Sequence, residues 1–402
     1  MFRKSLFVLV YFLFLALLCE LIFGAFYFVK NEALVRPARM LSTNEFLVNA
    51  GDVDCGWAGV QAVHPFLSHY SLSPDRCADD AQFDLNAQGF FGPSIPLKND
   101  DKTFDILLTG GSVAAYLGQL YVGGPKYLEE SLNRKYQPPV GTRFRVFNGA
   151  NGAWAQPQQM IMTLLYGRGV DALVSLEGFN EHWAFARKRR IDQPTNTFFQ
   201  LAARSTDATV VFYGDLATDL THFMNNNWLT RNSYFLYGIY DIVILLVKQK
   251  MEESGRVAKL KSSFGFDEGM GQLERHRWNL EQYQTYVLTI KDFADRNNLQ
   301  HALFIQPVPR IGKTLTNEEQ RRIGSVTYEP IYLEIVEHLM ALQNQGVNVR
   351  GLLYVFEDVT ESIYGDIIHP EIDIKTGYGQ GFEIIAEQMS DDLAELWRLQ
   401  PK

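Results

Sequence analysis

Residues 104–118 read FDILLTGGSVAAYLG, and this stretch decides the fold. Phe104 to Leu108 is apolar except for Asp105, and the run stops at Thr109, Gly110 and Gly111. A short apolar run ended by glycines is the pattern of a strand buried on both faces of a parallel sheet. Ser112 follows, and the residues after it favour a helix to about Tyr136. Similar units recur along the chain. FRVFNGANG (144–152) and DALVSLEGFNE (171–181) each run from an apolar strand into a glycine turn. HALFIQPVP (301–309) and RGLLYVFE (350–357) read as two later strands. Helical patterns separate them, among them QPQQMIMTLLYGRG (156–169, with Gly167 and Gly169 at its end), 330–345 and 379–397. The predicted fold is therefore α/β: a doubly wound parallel sheet of the flavodoxin-like three-layer α/β/α kind. ATVVFYGD (208–215) reads as a short strand or as the start of an insertion.

In such folds ligands bind at the carboxyl ends of strands, so the turns after residues 109, 148 and 177 are the places to look for chemistry. Ser112 sits behind two glycines, which permit a tight turn and leave room for a ligand. At a helix start its backbone N–H is also free to face an oxyanion. An ordinary N-cap serine would look the same. GDIIHPE (365–371) supplies complementary groups: Asp366 lies three residues before His369, so its carboxylate can hold one ring nitrogen while the other faces a serine. The segment follows the last strand and precedes the last helix, on the strand-end side that Ser112 occupies. Gly152 can offer an unobstructed N–H and Asn180 a side-chain amide, although turn glycines and asparagines are common.

These four stretches, in this order, resemble the SGNH (GDSL-type) hydrolase family. The resemblance covers about residues 104–183 and 300–390. It implies Ser112 as nucleophile, His369 as general base and acid, and Asp366 as its orienting partner. It further implies an oxyanion hole made by the Ser112 amide, Gly152 and Asn180. Two positions depart from the family pattern. Gly-Asp-Ser reads Gly110-Gly111-Ser112, and the last residue of Gly-x-Asn-Asp is Glu181. GGSVA also resembles the G-x-S-x-G elbow of α/β-hydrolases, but there the acid and histidine occupy separate loops.

Before the first strand lies a different kind of sequence. Leu6 to Val29 is apolar apart from Cys19, Glu20 and Gly24. At about 1.5 Å per residue it can cross a hydrocarbon core of about 30 Å. A cleaved signal peptide would have a shorter apolar region and a small-x-small site. The expected organisation is a transmembrane anchor over 1–30, a loop-rich lead-in over 31–100, and an SGNH-like domain over 101–402 with a mainly helical insertion at about 190–298. Arg3 and Lys4 flank one side of the span and Lys30, Arg36 and Arg39 the other, so charge alone does not set orientation; a short basic tail before one span and a long domain gives the expectation of a C-terminal domain outside the cytoplasm, periplasmic or extracellular. In that compartment Cys55 and Cys77 would pair as a disulfide; the other reading is two buried thiols. Glu20 within the span faces either water near the outer interface or a membrane partner subunit. YFLYGIYDIVILLV (234–247) is short for a second span and reads as a buried core helix or a membrane-surface one.

The net charge of −9 argues against a nucleic-acid binder. No spacing of His, Cys and Asp suggests a metal site, and neither a P-loop nor a dinucleotide fingerprint is present. No cofactor is expected. The functional expectation is a serine esterase or O-acyltransferase acting on acyl esters, with acylated cell-surface glycans or lipids as substrates. The alternative is a non-catalytic SGNH-like subunit of a membrane complex.

Overall fold

In the computed structural model the described residues are 2–31, 35–42, 61–64, 66–71, 83–98, 102–186, 189–192, 208–253, 266, 269–325, 329–373 and 376–402. Cys55 and Cys77 lie outside them. The chain divides into two compact units, residues 1–60 with 200–263, and 61–199 with 264–402.

The first unit is helical: α1 (Phe2–Asn31), α2 (Pro37–Ser42), then α3 (Ala208–Asn226), α4 (Trp228–Asn232) and α5 (Tyr234–Glu253). ATVVFYGD therefore opens a helix rather than a strand. Val10–Asn31 of α1 is long and apolar enough to cross a membrane, with a mean hydropathy of 2.4. Glu20 accepts hydrogen bonds from the Ser233 hydroxyl and from the Tyr234 and Phe235 amides, at 2.6–3.0 Å. It caps the start of α5, where unpaired amides and the helix dipole favour a carboxylate. Gly238 lets the two helices meet, since a Cβ there would stand 2.2 Å from the Phe23 ring. Tyr237, Tyr240, Ile244 and Val247 of α5 are buried with Tyr27 and Met224, while Ile239, Ile242, Leu245 and Leu246 are exposed.

The second unit carries the sheet. A hairpin, β1 (Gln61–His64) and β2 (Ser68–Ser71), precedes β3 (Phe104–Gly110), β4 (Tyr136–Gln137), β5 (Phe144–Ala150), β6 (Ala172–Glu177), β7 (Gln300–Ile305), β8 (Val349–Gly351) and β9 (Gln400–Pro401). Five of these form one parallel sheet in the order β5-β3-β6-β7-β8. This is the flavodoxin-like strand order. Every residue of β3 and β6 is buried, as two-sided coverage requires.

Helices of this unit are α6 (Ser112–Leu117), α7 (Tyr127–Lys135), α8 (Gln158–Tyr166), α9 (Phe179–Ala186), α10 (Gln272–Asn297), α11 (Asn317–Ile323), α12 (Glu329–Ala341) and α13 (Gln380–Trp397). α8 and α10 pack on Leu107, Phe147 and Leu173 of the sheet through Met162, Ile290 and Ala294. On α10, Tyr283, Val287, Ile290 and Ala294 form the buried inner face.

Two sequence expectations fail in detail. The helix after Ser112 breaks into α6 and α7, because Gly118, Gly123, Gly124 and Pro125 interrupt it. The strand expected at RGLLYVFE is only Val349–Gly351. From Leu352 the chain enters successive turns that bury Leu353 and Phe356 and expose Tyr354, which a strand covered on both faces could not do.

Candidate active site

β3 and β6 end side by side, Gly110 opposite Leu176, and this register brings the turn after β3 against the turn after β6. Gly110 has φ 147°, and a Cβ there would meet the Leu176 carbonyl at 2.4 Å. Gly111 has ordinary extended backbone angles, so its need is for space alone. A Cβ at Gly111 would stand 2.2 Å from Asn180 Nδ2. An aspartate at this position would have to displace the Asn180 amide from the place it holds here.

Ser112 is the first residue of α6. Its Oγ lies 2.6 Å from His369 Nε2. His369 Nδ1 is 2.8 Å from Asp366 Oδ2. Asp366 Oδ1 also accepts the amides of Ile368 at 2.8 Å and of His369 at 2.7 Å. The carboxylate therefore fixes both the ring and the turn that bears it. Partial burial pushes Asp366 upward, but hydrogen bonds from the His369 ring and the two amides outweigh it and hold the carboxyl below its usual range. An ionised Asp366 keeps a proton on Nδ1, leaving Nε2 to accept from Ser112. The geometry can thus move a proton from the serine hydroxyl to the imidazole. Tyr116 packs edge-on to the ring, 6.2 Å between centroids.

The three oxyanion candidates are placed unequally. The Ser112 amide begins a helix, where backbone N–H groups lack intrahelical acceptors. Asn180 donates one Nδ2 hydrogen to the Trp154 carbonyl at 2.7 Å, and an amide carries a second. The Gly152 amide donates to Asn151 Oδ1 at 2.7 Å. The Gly152 carbonyl lies 2.9 Å from His69 Nε2. Burial lowers the His69 pKa to about 4, so the ring is neutral and donates this hydrogen bond.

Sequence reasoning missed several groups that shape this site. Asn148 donates to the Ala115 carbonyl at 2.7 Å and accepts from the Ala150 amide, tying α6 to the end of β5. Its signal was the asparagine ahead of the first glycine in VFNGANG. Gln156, Glu177 and Glu181 form a buried polar cluster between the turn that carries Trp154 and the turn that carries Asn180. Among the described residues no group of three or more His, Cys, Asp or Glu side chains could hold a metal ion.

No protein-family model and no curated protein matches the sequence. Among solved structures, the acetyl xylan esterase AlAXEase is 8% identical, with 72% of this chain and 98% of that chain covered at a TM-score of 0.35. An extracellular lipase from Streptomyces rimosus is 10% identical, with 73% and 99% covered at 0.29. A likeness of that degree carries no weight for activity.

Proposed function

We propose that the protein is a membrane-anchored, SGNH-like serine esterase or O-acyltransferase whose sheet-bearing unit works outside the cytoplasm. One observation carries this reading: the unbroken hydrogen-bond chain from Ser112 through His369 to Asp366. A serine and a neighbouring Asp–His pair, 257 residues apart from Ser112 to His369, meet at hydrogen-bond distance in the order that nucleophile, base and orienting acid require.

In the proposed reaction Ser112 Oγ bonds to the carbonyl carbon of an acyl ester while its proton passes to His369 Nε2. The carbonyl electrons move onto oxygen, where the Ser112 amide and the second Nδ2 hydrogen of Asn180 stabilise the charge. Gly152 joins them once its amide exchanges Asn151 Oδ1 for the oxyanion. The tetrahedral species collapses, the alcohol leaves with the proton from His369, and the acyl group stays on Ser112. Water then completes hydrolysis, or a second hydroxyl completes transfer, with His369 again taking the incoming proton.

The anchor supports substrates held at the cell surface, acylated glycans or lipids, because Val10–Asn31 would tether the site beside them. Rapid mixing with p-nitrophenyl acetate, quenching, and mass spectrometry of the intact chain tests the reading. An acetyl group on Ser112, absent in Ser112→Ala, is the expected result. A folded wild-type chain that never acylates would point to the non-catalytic subunit instead.

A further inference from the structure

Asn180 and Trp154 are flanked by residues that share one acid. Glu181 Oε1 accepts the Gln156 amide at 2.8 Å, and Oε2 accepts the Gly178 amide at 2.8 Å. Gln156 lies two residues after Trp154, and Gly178 two before Asn180. Both segments that meet in the Asn180–Trp154 hydrogen bond are therefore tied to one carboxylate. The Gln159 side chain adds a longer contact of 3.4 Å.

A second acid lies beside the first. Gln156 Nε2 is 3.0 Å from both oxygens of Glu177, so Gln156 holds one acid by its backbone and the other by its side chain. Glu177 is 2% exposed and Glu181 1%. Ser175 and the Tyr283 hydroxyl of α10 face Glu177. Tyr332 of α12 lies close enough to Tyr283 to act on it electrostatically and donates to the Gln306 carbonyl. His182 on α9 is kept neutral by burial, its pKa lowered to about 4. Among the described residues no lysine or arginine pairs with either acid.

Two adjacent carboxylates without a cation cannot both ionise cheaply inside a protein. Glu181 accepts two backbone amides, which favour its charged form. Glu177 is the better holder of a proton, and that proton needs an acceptor. Gln156 Oε1 is buried without a hydrogen-bond partner. A half-turn of the Gln156 amide, whose O and N ends occupy nearly equivalent positions, offers that oxygen to the Glu177 hydroxyl.

We propose that Glu181 is a positioning residue for the oxyanion side of the site, held in register by one proton that Glu177 keeps against Gln156. The positioning role rests on the serine-acyl reading above; the retained proton does not. Burial, then repulsion by Glu177, raises the Glu181 carboxyl from 4.5 to about 7, and burial raises Glu177 in the same direction. The folded chain thus keeps a proton that the unfolded chain has released. Stability contributed by the pair therefore falls as pH rises through a window that opens at the ordinary carboxyl value of 4.5.

The test uses the full chain in detergent. Thermal unfolding of wild type and Glu177→Gln is followed from acid to mildly alkaline pH. The wild type should lose ground against Glu177→Gln through that window; a pH-independent difference would overturn the retained proton. In parallel, kcat and KM for p-nitrophenyl acetate are measured for Glu181→Gln and Glu181→Asp. Glu181→Gln should lower kcat about tenfold with KM within about threefold, and Glu181→Asp should recover part of the loss. Unchanged kcat in folded variants would overturn the positioning role. If wild type shows neither turnover nor labelling, the serine reading and the positioning role fall together, and the unfolding curves still decide the proton.

Discussion

Two acid arrangements stand at the carboxyl end of the sheet, and their surroundings differ. The Asp366 side chain is 53% exposed and that of its partner His369 31%. Asp366 has a ring and two amides to accept from, and its pKa is lowered. Glu177 and Glu181 are sealed, with no cation beside them among the described residues, and their pKa values are raised. One arrangement keeps a carboxylate charged beside the proton-transfer line. The other suits a retained proton inside the scaffold that holds Asn180. The contrast shows that the partners each carboxyl can reach, more than the carboxyl itself, set its protonation state.

The most damaging way to break the contrast is to remove the charge of Asp366. Asp366→Asn should keep the fold and lower kcat by about 10²–10⁴, because the ring loses the acceptor that fixes its tautomer. Steady-state hydrolysis of p-nitrophenyl acetate checks it, and a loss under threefold would separate Asp366 from the chemistry. Next in size is Gly111. Its neighbour is the end of a flexible side chain, so Gly111→Ala should displace the Asn180 amide rather than unfold the protein. Loss of about 10–100-fold in kcat with a small change in melting temperature is expected. Gly111→Asp, which writes the usual Gly-Asp-Ser into this chain, should do no better. Higher activity in Gly111→Asp would contradict the close approach described above.

Smaller still is the effect of Asn148→Ala. It removes the bond from β5 to the Ala115 carbonyl. A loss of about 1–3 kcal/mol in denaturant unfolding is expected, since the carbonyl is left buried and unpaired. The smallest effect belongs to acid pH. Stability supplied by Asp366 is present above its unfolded pKa and is lost as pH falls through its lowered folded value. Asp366→Asn should therefore flatten the acid limb of the stability curve, in the direction opposite to Glu177→Gln. A shared direction would remove the contrast itself.

The unequal legibility of these features has a physical cause. β3, β5, β6 and β7 were readable because burial on both faces demands apolar runs, ended by glycines after β3, β5 and β6 and by prolines after β7. Ser112, Asp366, His369 and Asn180 were readable because each stands in a short stretch of recognisable spacing. β8 was not, since apolar residues in turns look like apolar residues in a strand. The Glu177–Glu181 cluster was not readable either. On paper EGFNE is a polar turn, and only the packing of Gln156 and of Tyr283 from a distant helix makes it an interior acid pair. Gly111 read as a departure from the family pattern; the space it leaves for Asn180 exists only in three dimensions.

The most direct measurement is the rate of fluorophosphonate labelling of the folded full chain, comparing wild type with Ser112→Ala and His369→Ala. The account predicts stoichiometric labelling of wild type, none of Ser112→Ala, and a rate lowered by about 10³ or more in His369→Ala. Equal labelling of wild type and His369→Ala, or none of wild type, would contradict an activated serine at residue 112.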